Sequence, residues 1–419
     1  MAEIDTDLKT QVRKARGKFA AMATTYSLGV FNDNFFKWAA IGVTIGMEEW
    51  FTALFTIPFI LFAPQSGWLA DRFPKRNVVI LAKMLELIAM LVGAAAIVYG
   101  NGTLIAIVLL IMALQSTIFG PSLNGSIPEL FPASYVTTAN AVLKVAITLA
   151  ILLGTAMAGH ALELEQAGWS PGMFGRYAVA AIIVVMAFLG VSISFFVPRR
   201  PGAGTKAKCP KSVLWHSLQD LWEIRKDKYL QTILIVDVFI WFVGSLQMQI
   251  ISKMCDPEHF NWGRGTASNL MLAELVGVAA GGLIAAKIAK GPRWFKVLPI
   301  PLIVLGLAAI PAALTPLLGS DLGLKLLYPA VGLMGIAGGI VMIPCESFIQ
   351  VRPAADRKGR IIAAAGCAAF ISMLFSAGLL AALRTFMSAS PCFIVVGVTA
   401  VATGIWLWIT VSRKEFGND

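Results

Sequence analysis

Residues 67–76 read GWLADRFPKR. One acid, Asp71, and three bases, Arg72, Lys75 and Arg76, stand between two long apolar runs at residues 50–70 and 78–99. A helix needs about 17–25 apolar residues to cross a bilayer, and both runs are long enough. The stretch therefore reads as a short polar hairpin at a membrane surface. Gly67 would let a second helix approach closely. Asp71 would accept hydrogen bonds from the positively polarised N-terminus of another helix. Arg72, Lys75 and Arg76 would pair with acids at neighbouring helix ends, Glu129 and Glu346 being the candidates.

Working outward, the same apolar pattern recurs along the whole chain. Twelve segments qualify: residues 19–45, 50–70, 78–99, 103–123, 138–160, 173–197, 229–252, 267–289, 296–316, 324–349, 361–383 and 390–412. Of 419 residues, 58% are hydrophobic and 14% charged. Soluble domains carry about a quarter charged residues, so an all-α integral membrane protein is expected. Three His and five Cys, at 209, 255, 345, 367 and 392, make no metal or disulfide framework. No cofactor, metal site or catalytic constellation is expected, hence no enzyme. The N-terminal MAEIDTDLKTQVRKARGK is polar and basic without a cleavage signature, so the first span reads as an anchor.

The net charge of +11 is distributed as a topology signal. Most Lys and Arg fall in the two tails and in loops 71–77, 198–228, 287–296 and 350–360, which twelve spans place on one side. The opposite loops hold Glu48, Glu49, Glu163, Glu165 and Asp321. Both termini are therefore expected in the cytoplasm, and anionic headgroups rather than nucleic acid are the implied partner.

The polar stretch 198–228 divides the spans six and six. Residues 1–197 are expected to form an N-terminal six-helix bundle, 229–419 a C-terminal one, and 198–228 a cytoplasmic linker. The linker begins PRRPGAGTKAKCPK, which is not expected to be ordered throughout. It continues VLWHSLQDLWEI, where Leu214, Trp215, Leu218, Leu221 and Trp222 share one helical face, as in a helix lying in the membrane interface. The halves look like repeats: Pro121 and Pro344 correspond, and GLIAAK after span eight echoes GWLADR with Ala286 for the acid. This layout, with the GWLADRFPKR loop, resembles the major facilitator superfamily.

That resemblance implies alternating access and a central cavity framed by spans one, four, seven and ten. Asp71 would latch onto the amides that open span eleven, near Gly359 and Arg360. Gly67, Arg72, Lys75, Arg76, Glu129 and Glu346 would complete the gate. Asp237 and Lys144, one or two turns inside the cytoplasmic surface, are further gate candidates.

Span one carries FNDNFF at residues 31–36. Asp33 falls near the bilayer centre, where an ionised carboxylate facing lipid costs at least about 3 kcal/mol, so it should point into the bundle. Lys37, four residues on, offers an ion pair. Of Asn32 and Asn34, one should bond a neighbouring helix and the other face the cavity. Asn124 in span four, Lys144 in span five and Trp241, Gln247 and Gln249 in span seven would add lining. Phe31, Phe35, Phe36 and Trp38 would supply apolar wall. Lys83 and Glu86 should form a structural pair, and Glu274 is a further intramembrane acid. A chamber of both charge signs with apolar walls suits an amphiphile.

Taken together, F-x-D-N, LFAPQSGWLADRFPKR, FGPSLNGSIPEL followed by ANAVLKVAITLAILLG, and IPCESFIQVRPAADRKGRIIAA are similar to the bacterial lysophospholipid transporter family. The similarity implies inward flipping of lysophosphatidylethanolamine and lysophosphatidylglycerol across the inner membrane for reacylation. It matches Asp33 to the family's span-one acid. The family's span-four Lys falls on Leu123, which leaves Lys37 or Lys144 as phosphate partner. A separate acyltransferase or acyl-carrier-protein synthetase would be the partner enzyme, and a monomer is expected. The alternative is a superfamily carrier of another amphipathic or small organic solute, such as a drug or metabolite exporter; GTAMAGHAL in span five lacks the Gly-Pro signature of drug antiporters.

Overall fold

A computed structural model describes residues 2–44, 48–165, 167–211, 213–257, 259–291 and 293–412. They form helices in the order α1 Ala2–Val43, α2 Glu48–Leu61, α3 Ala63–Arg72, α4 Lys75–Tyr99, α5 Gly102–Leu130, α6 Ala133–Leu162, α7 Met173–Ser194, α8 Val213–Ile224, α9 Lys228–Cys255, α10 Gly263–Ile288, α11 Pro299–Ala313, α12 Thr315–Leu318, α13 Ser320–Val351, α14 Lys358–Leu383 and α15 Cys392–Ser412. No strand occurs among the described residues.

Ten helical segments among the described residues are long and apolar enough to cross a membrane, α11 counting together with the 3-10 turn Trp294–Val297 before it. The other two expected spans correspond to α1, whose Asn32, Asp33, Asn34 and Lys37 dilute its apolar run, and to the α2–α3 pair. That pair breaks at Phe62, two residues before Pro64, because proline lacks the N–H that a continuous helix requires. Elsewhere prolines are tolerated: α5 runs through Pro121 and Pro128, and α13 through Pro329 and Pro344. In a bilayer, neighbouring helices re-satisfy the backbone groups that proline frees.

The chain forms two compact units. One comprises residues 1–133, 146–223 and 350–367; the other comprises 134–145, 224–349 and 368–419. In the first unit α1, α4, α5 and α7 close around Phe35, Phe36, Met90, Ile97, Leu109 and Ile183. Phe31, Phe35 and Phe36 are therefore core residues, contrary to the expectation that they form wall. Trp38 is 41% exposed.

In the second unit α10 and α13 touch backbone to backbone. A Cβ built on Gly335 or Gly339 would overlap the carbonyl oxygens of Glu274 and Val278. Lipid tails are as apolar as side chains, so helices in a bilayer hold together by such close packing.

The connector before α8 is fixed rather than loose. Arg72 Nη1 donates to the Thr205 carbonyl at 2.6 Å, Trp68 Nε1 to Ala207 at 2.9 Å and Gln65 Nε2 to Pro210 at 3.3 Å. Its carbonyls cannot pair with one another in so irregular a segment, and α3 supplies the donors. A Pro/Gly-rich composition concealed this strap.

Gly339→Ala is expected to destabilise the protein by about 2 kcal/mol through overpacking. Gly332→Ala, on the same helix where an added Cβ meets nothing within 4 Å, should be neutral. Thermal unfolding of the two variants in detergent checks the contrast.

Candidate functional site

Asp71 sits at the C-terminal end of α3, just beyond the expected membrane span, and is fully buried. The Gly359 N–H donates to its Oδ1 at 2.6 Å and the Arg360 N–H to its Oδ2 at 3.0 Å. These are amides of the first turn of α14, which no carbonyl within that helix can reach. Gly67 permits the contact: a Cβ there would stand 2.6 Å from the Arg360 Cα and 2.8 Å from the Gly359 oxygen. Arg360 continues the chain of contacts outward. Its guanidinium bonds Asp220 of α8, with Nε at 3.4 Å from Oδ2.

Only one of the three hairpin bases meets a predicted acid. Lys75 pairs with Glu129. Arg72 is taken by the Thr205 carbonyl and Arg76 by that of Phe195, at 2.6 Å each. Glu346 lies elsewhere, within electrostatic reach of Lys144. The connector and the C-terminal end of α7 supply carbonyls closer to hand than any acid, which the local sequence of the hairpin does not reveal.

A second cluster occupies the interior of the same unit. Lys83 Nζ pairs with Glu86 Oε2 at 2.6 Å, each side chain 1% exposed. Asn32 Nδ2 donates to Glu86 Oε1 at 3.3 Å and to the Ile183 carbonyl at 3.2 Å. The Lys83 ammonium also lies 5.0 Å from the Phe119 ring centroid. Here α1, α4, α5 and α7 are joined by charge, amide and π face. Asn34 instead donates to Val30 in its own helix at 2.8 Å.

Asp33 is held more lightly. Its Oδ2 accepts from Ser116 Oγ at 2.9 Å, and Ser116 Oγ accepts from Gln115 Nε2 at 2.8 Å. Its Oδ1 is buried with no hydrogen-bond partner. The expected ion pair with Lys37 does not form, and Lys37 makes no ion pair among the described residues. The charges that act on Asp33 are those of Glu86 and Lys83.

In the second unit, Lys144, Asp237 and Glu346 are mutually within electrostatic reach, and Lys144 lies 5.4 Å from the Trp241 ring centroid. Asp237 Oδ1 and Glu274 Oε2 are buried without hydrogen-bond partners. Asn140 Nδ2 donates to Ser347 Oγ at 2.8 Å. Gln247 is buried against Met334 Sδ at 3.4 Å, and Gln249 donates to Ser245 and Ser376 at 2.9 Å each. Asn124 is half-buried.

Sequence reasoning missed Ser116 and Gln115, which hold Asp33, and Asp220, which holds Arg360. The first two are ordinary polar residues in an apolar helix, and only the packing of α5 on α1 picks them out. Asp220 carried a signal: it is the acid on the polar edge of an amphipathic helix.

The sequence pattern described as Major Facilitator Superfamily matches residues 17–377. The lysophospholipid transporter LplT of Klebsiella pneumoniae subsp. pneumoniae is 26% identical, with 94% of this chain and 96% of that protein covered. An uncharacterised transporter of Bacillus subtilis, YfiS, is 24% identical over 87% of this chain and 84% of that protein. Among solved structures, the human organic anion transporter MFSD10 superposes with TM-score 0.72 at 15% identity, covering 93% of this chain and 99% of that one. FucP in its outward conformation gives TM-score 0.70 at 13% identity, covering 94% and 99%.

Burial pushes the Asp71 carboxyl up to about 6, against the lowering effect of the Gly359 and Arg360 N–H groups and of the Lys75 and Arg360 charges. A carboxyl in water titrates near 4, so the buried arrangement binds more protons than a released one. The proton-linked stabilisation is therefore complete below about 4 and lost as pH rises through about 6. Exchange protection of the Gly359 and Arg360 amides, corrected for intrinsic rates, should rise between about pH 7.5 and 5.5; in Asp71→Asn the rise should vanish. Separately, Glu86→Leu should cost about 3–5 kcal/mol by stranding the buried Lys83 charge. Adding Lys83→Met should recover most of that loss in thermal unfolding.

Proposed function

The chain belongs to the Major Facilitator Superfamily, and from that premise we propose that it moves lysophospholipids across the bacterial inner membrane by alternating access. It is a multi-pass membrane transporter. The lysophospholipid reading draws support from relatives named lysophospholipid transporter, aligned over nearly the whole chain.

The observation that carries the reading is Asp33. Its carboxyl is fixed by Ser116 through one oxygen, while the other has no protein partner. One helical turn on, Lys37 makes no ion pair among the described residues. Two opposite charges on one helix face, each left without the other, match a zwitterionic headgroup. Asp33 takes the ammonium and Lys37 the phosphate. Asn34 and Asn124 contribute contacts from their own helices. The Asp71 latch, made and broken with Gly359 and Arg360, accompanies each cycle. Gly67, Arg72, Lys75, Arg76 and Glu129 support it, while Asp237 and Glu346 act at the gate of the second unit. Both termini face the cytoplasm, the carrier works as a monomer, and a separate acylating enzyme consumes the lipid delivered.

Uptake of labelled lysolipids into proteoliposomes tests this. Asp33→Ala should slow lysophosphatidylethanolamine movement at least about tenfold, the loss of one charge-assisted contact of about 1.4 kcal/mol or more. Lysophosphatidylglycerol, which lacks an ammonium, should suffer less, whereas Lys37→Met should slow both. Equal rates for wild type and Asp33→Ala would sink the assignment. Movement of a small organic solute with neither lysolipid moving would favour the exporter alternative.

A further inference from the structure

The helix α8 turns its polar edge toward the protein and its apolar edge away from it. Ser217, Asp220 and Ile224 are buried, while Trp215, Leu218 and Trp222 are 61%, 52% and 67% exposed. Their spacing of three and four places them on one face. Only residues 225–227 separate the end of α8 from α9, which is long and apolar enough to span, so α8 is tethered at the membrane surface. Exposed bases rim it: Lys206, Lys208 and Lys211 before, Arg225, Lys226 and Lys228 after. Its acids are engaged by the protein. Asp220 holds Arg360, Glu223 pairs with Arg357 at 3.3 Å, and Asp227 caps α9.

An exposed Trp-Leu-Trp face with a basic rim is complementary to anionic lipid. Trp favours headgroup depth, the apolar face enters the acyl boundary, and bases near the surface are drawn to anionic headgroups. The same helix grips the latch from its inner edge. Arg360 gives its backbone N–H to Asp71 and its guanidinium to Asp220. The connector leading into α8 is strapped along α3, the helix that carries Asp71. Both partners of the latch are thus tied to one surface segment.

We propose that α8 docks its Trp215–Leu218–Trp222 face on anionic phospholipid, and that this docking holds the Asp71 latch through Asp220 and Arg360. The charge of the membrane then sets how often the latch opens. This holds whichever solute is carried, and its test needs no transport.

Hydrogen exchange at the Gly359 and Arg360 amides reports the latch directly. The full-length protein is placed in nanodiscs of phosphatidylcholine, alone or mixed with phosphatidylglycerol. Exchange at these amides should be about tenfold slower with phosphatidylglycerol, as an added barrier to local opening. Trp215→Ser with Trp222→Ser should remove the lipid difference. Replacing Lys206, Lys208 and Lys211 by Gln should do so as well, and decides the matter should the Trp variant fail to fold. Asp220→Asn should keep α8 on the lipid, read by quenching from brominated chains, while the latch amides cease to respond. Identical wild-type exchange in both lipids would overturn the proposal. So would a lipid effect that survives the Lys replacements, or a wild-type dimer dissolved by the Trp variant, which would assign the face to a second copy.

Discussion

A carboxylate taken out of water must be met by donors or cations, because its desolvation costs several kcal/mol. Asp71 meets that constraint with the two amides that open α14, and much of the surrounding structure follows from it. The amides come within reach only because residue 67 has no side chain. Their helix starts there because residues 350–357 deliver it to α3, inside the same compact unit. Arg360 is then placed to engage Asp220, and α8 acquires its inward edge. One buried acid thus organises a glycine, a helix start, an arginine and an amphipathic helix.

The same constraint separates structural from functional charge in the interior. Lys83 and Glu86 of α4 and Asn32 of α1 bond one another, and Asn32 reaches α7 through the Ile183 carbonyl; the first two were readable as a pair from their spacing alone. Such a cluster is a tie. Asp33 is different in kind: one oxygen is anchored, the other has no protein donor. A buried polar atom without a partner costs about 1–3 kcal/mol, a penalty that a ligand able to donate would remove. Asp237 and Glu274 share this incompleteness in the second unit, although Asp237 has Lys144 within electrostatic reach.

The helices and the contact of Asp71 with the start of α14 were legible in the sequence because both rest on rules that act locally. Bilayer thickness demands long apolar runs, and the fold that these imply is the one found. An acid after a glycine at a helix end asks for a helix N-terminus, and the span starting near Gly359 offered one. What stayed hidden depended on distant chain. Nothing near Arg72 or Arg76 says that carbonyls of residues 205 and 195 will take them. Nothing near Asp33 says that Ser116 will hold it, or that Lys37 will leave it alone. Phe35 and Phe36 looked like cavity wall, since residues on different faces of one helix cannot be assigned to core or opening without their neighbours. The connector was misjudged for a similar reason: its order comes from donors on α3, not from its own composition.

The strength of the latch follows from two opposed terms. Two hydrogen bonds to a charged acceptor are worth about 1.5–3 kcal/mol each. Burial works against them and prevails: with both amides and the Lys75 and Arg360 charges in place, the Asp71 carboxyl is still raised from 3.8 to about 6. The contact is therefore a balance of opposed terms rather than the sum of two hydrogen bonds. In such a balance a further contact, such as that between Asp220 and Arg360, bears on whether the two amides stay in place.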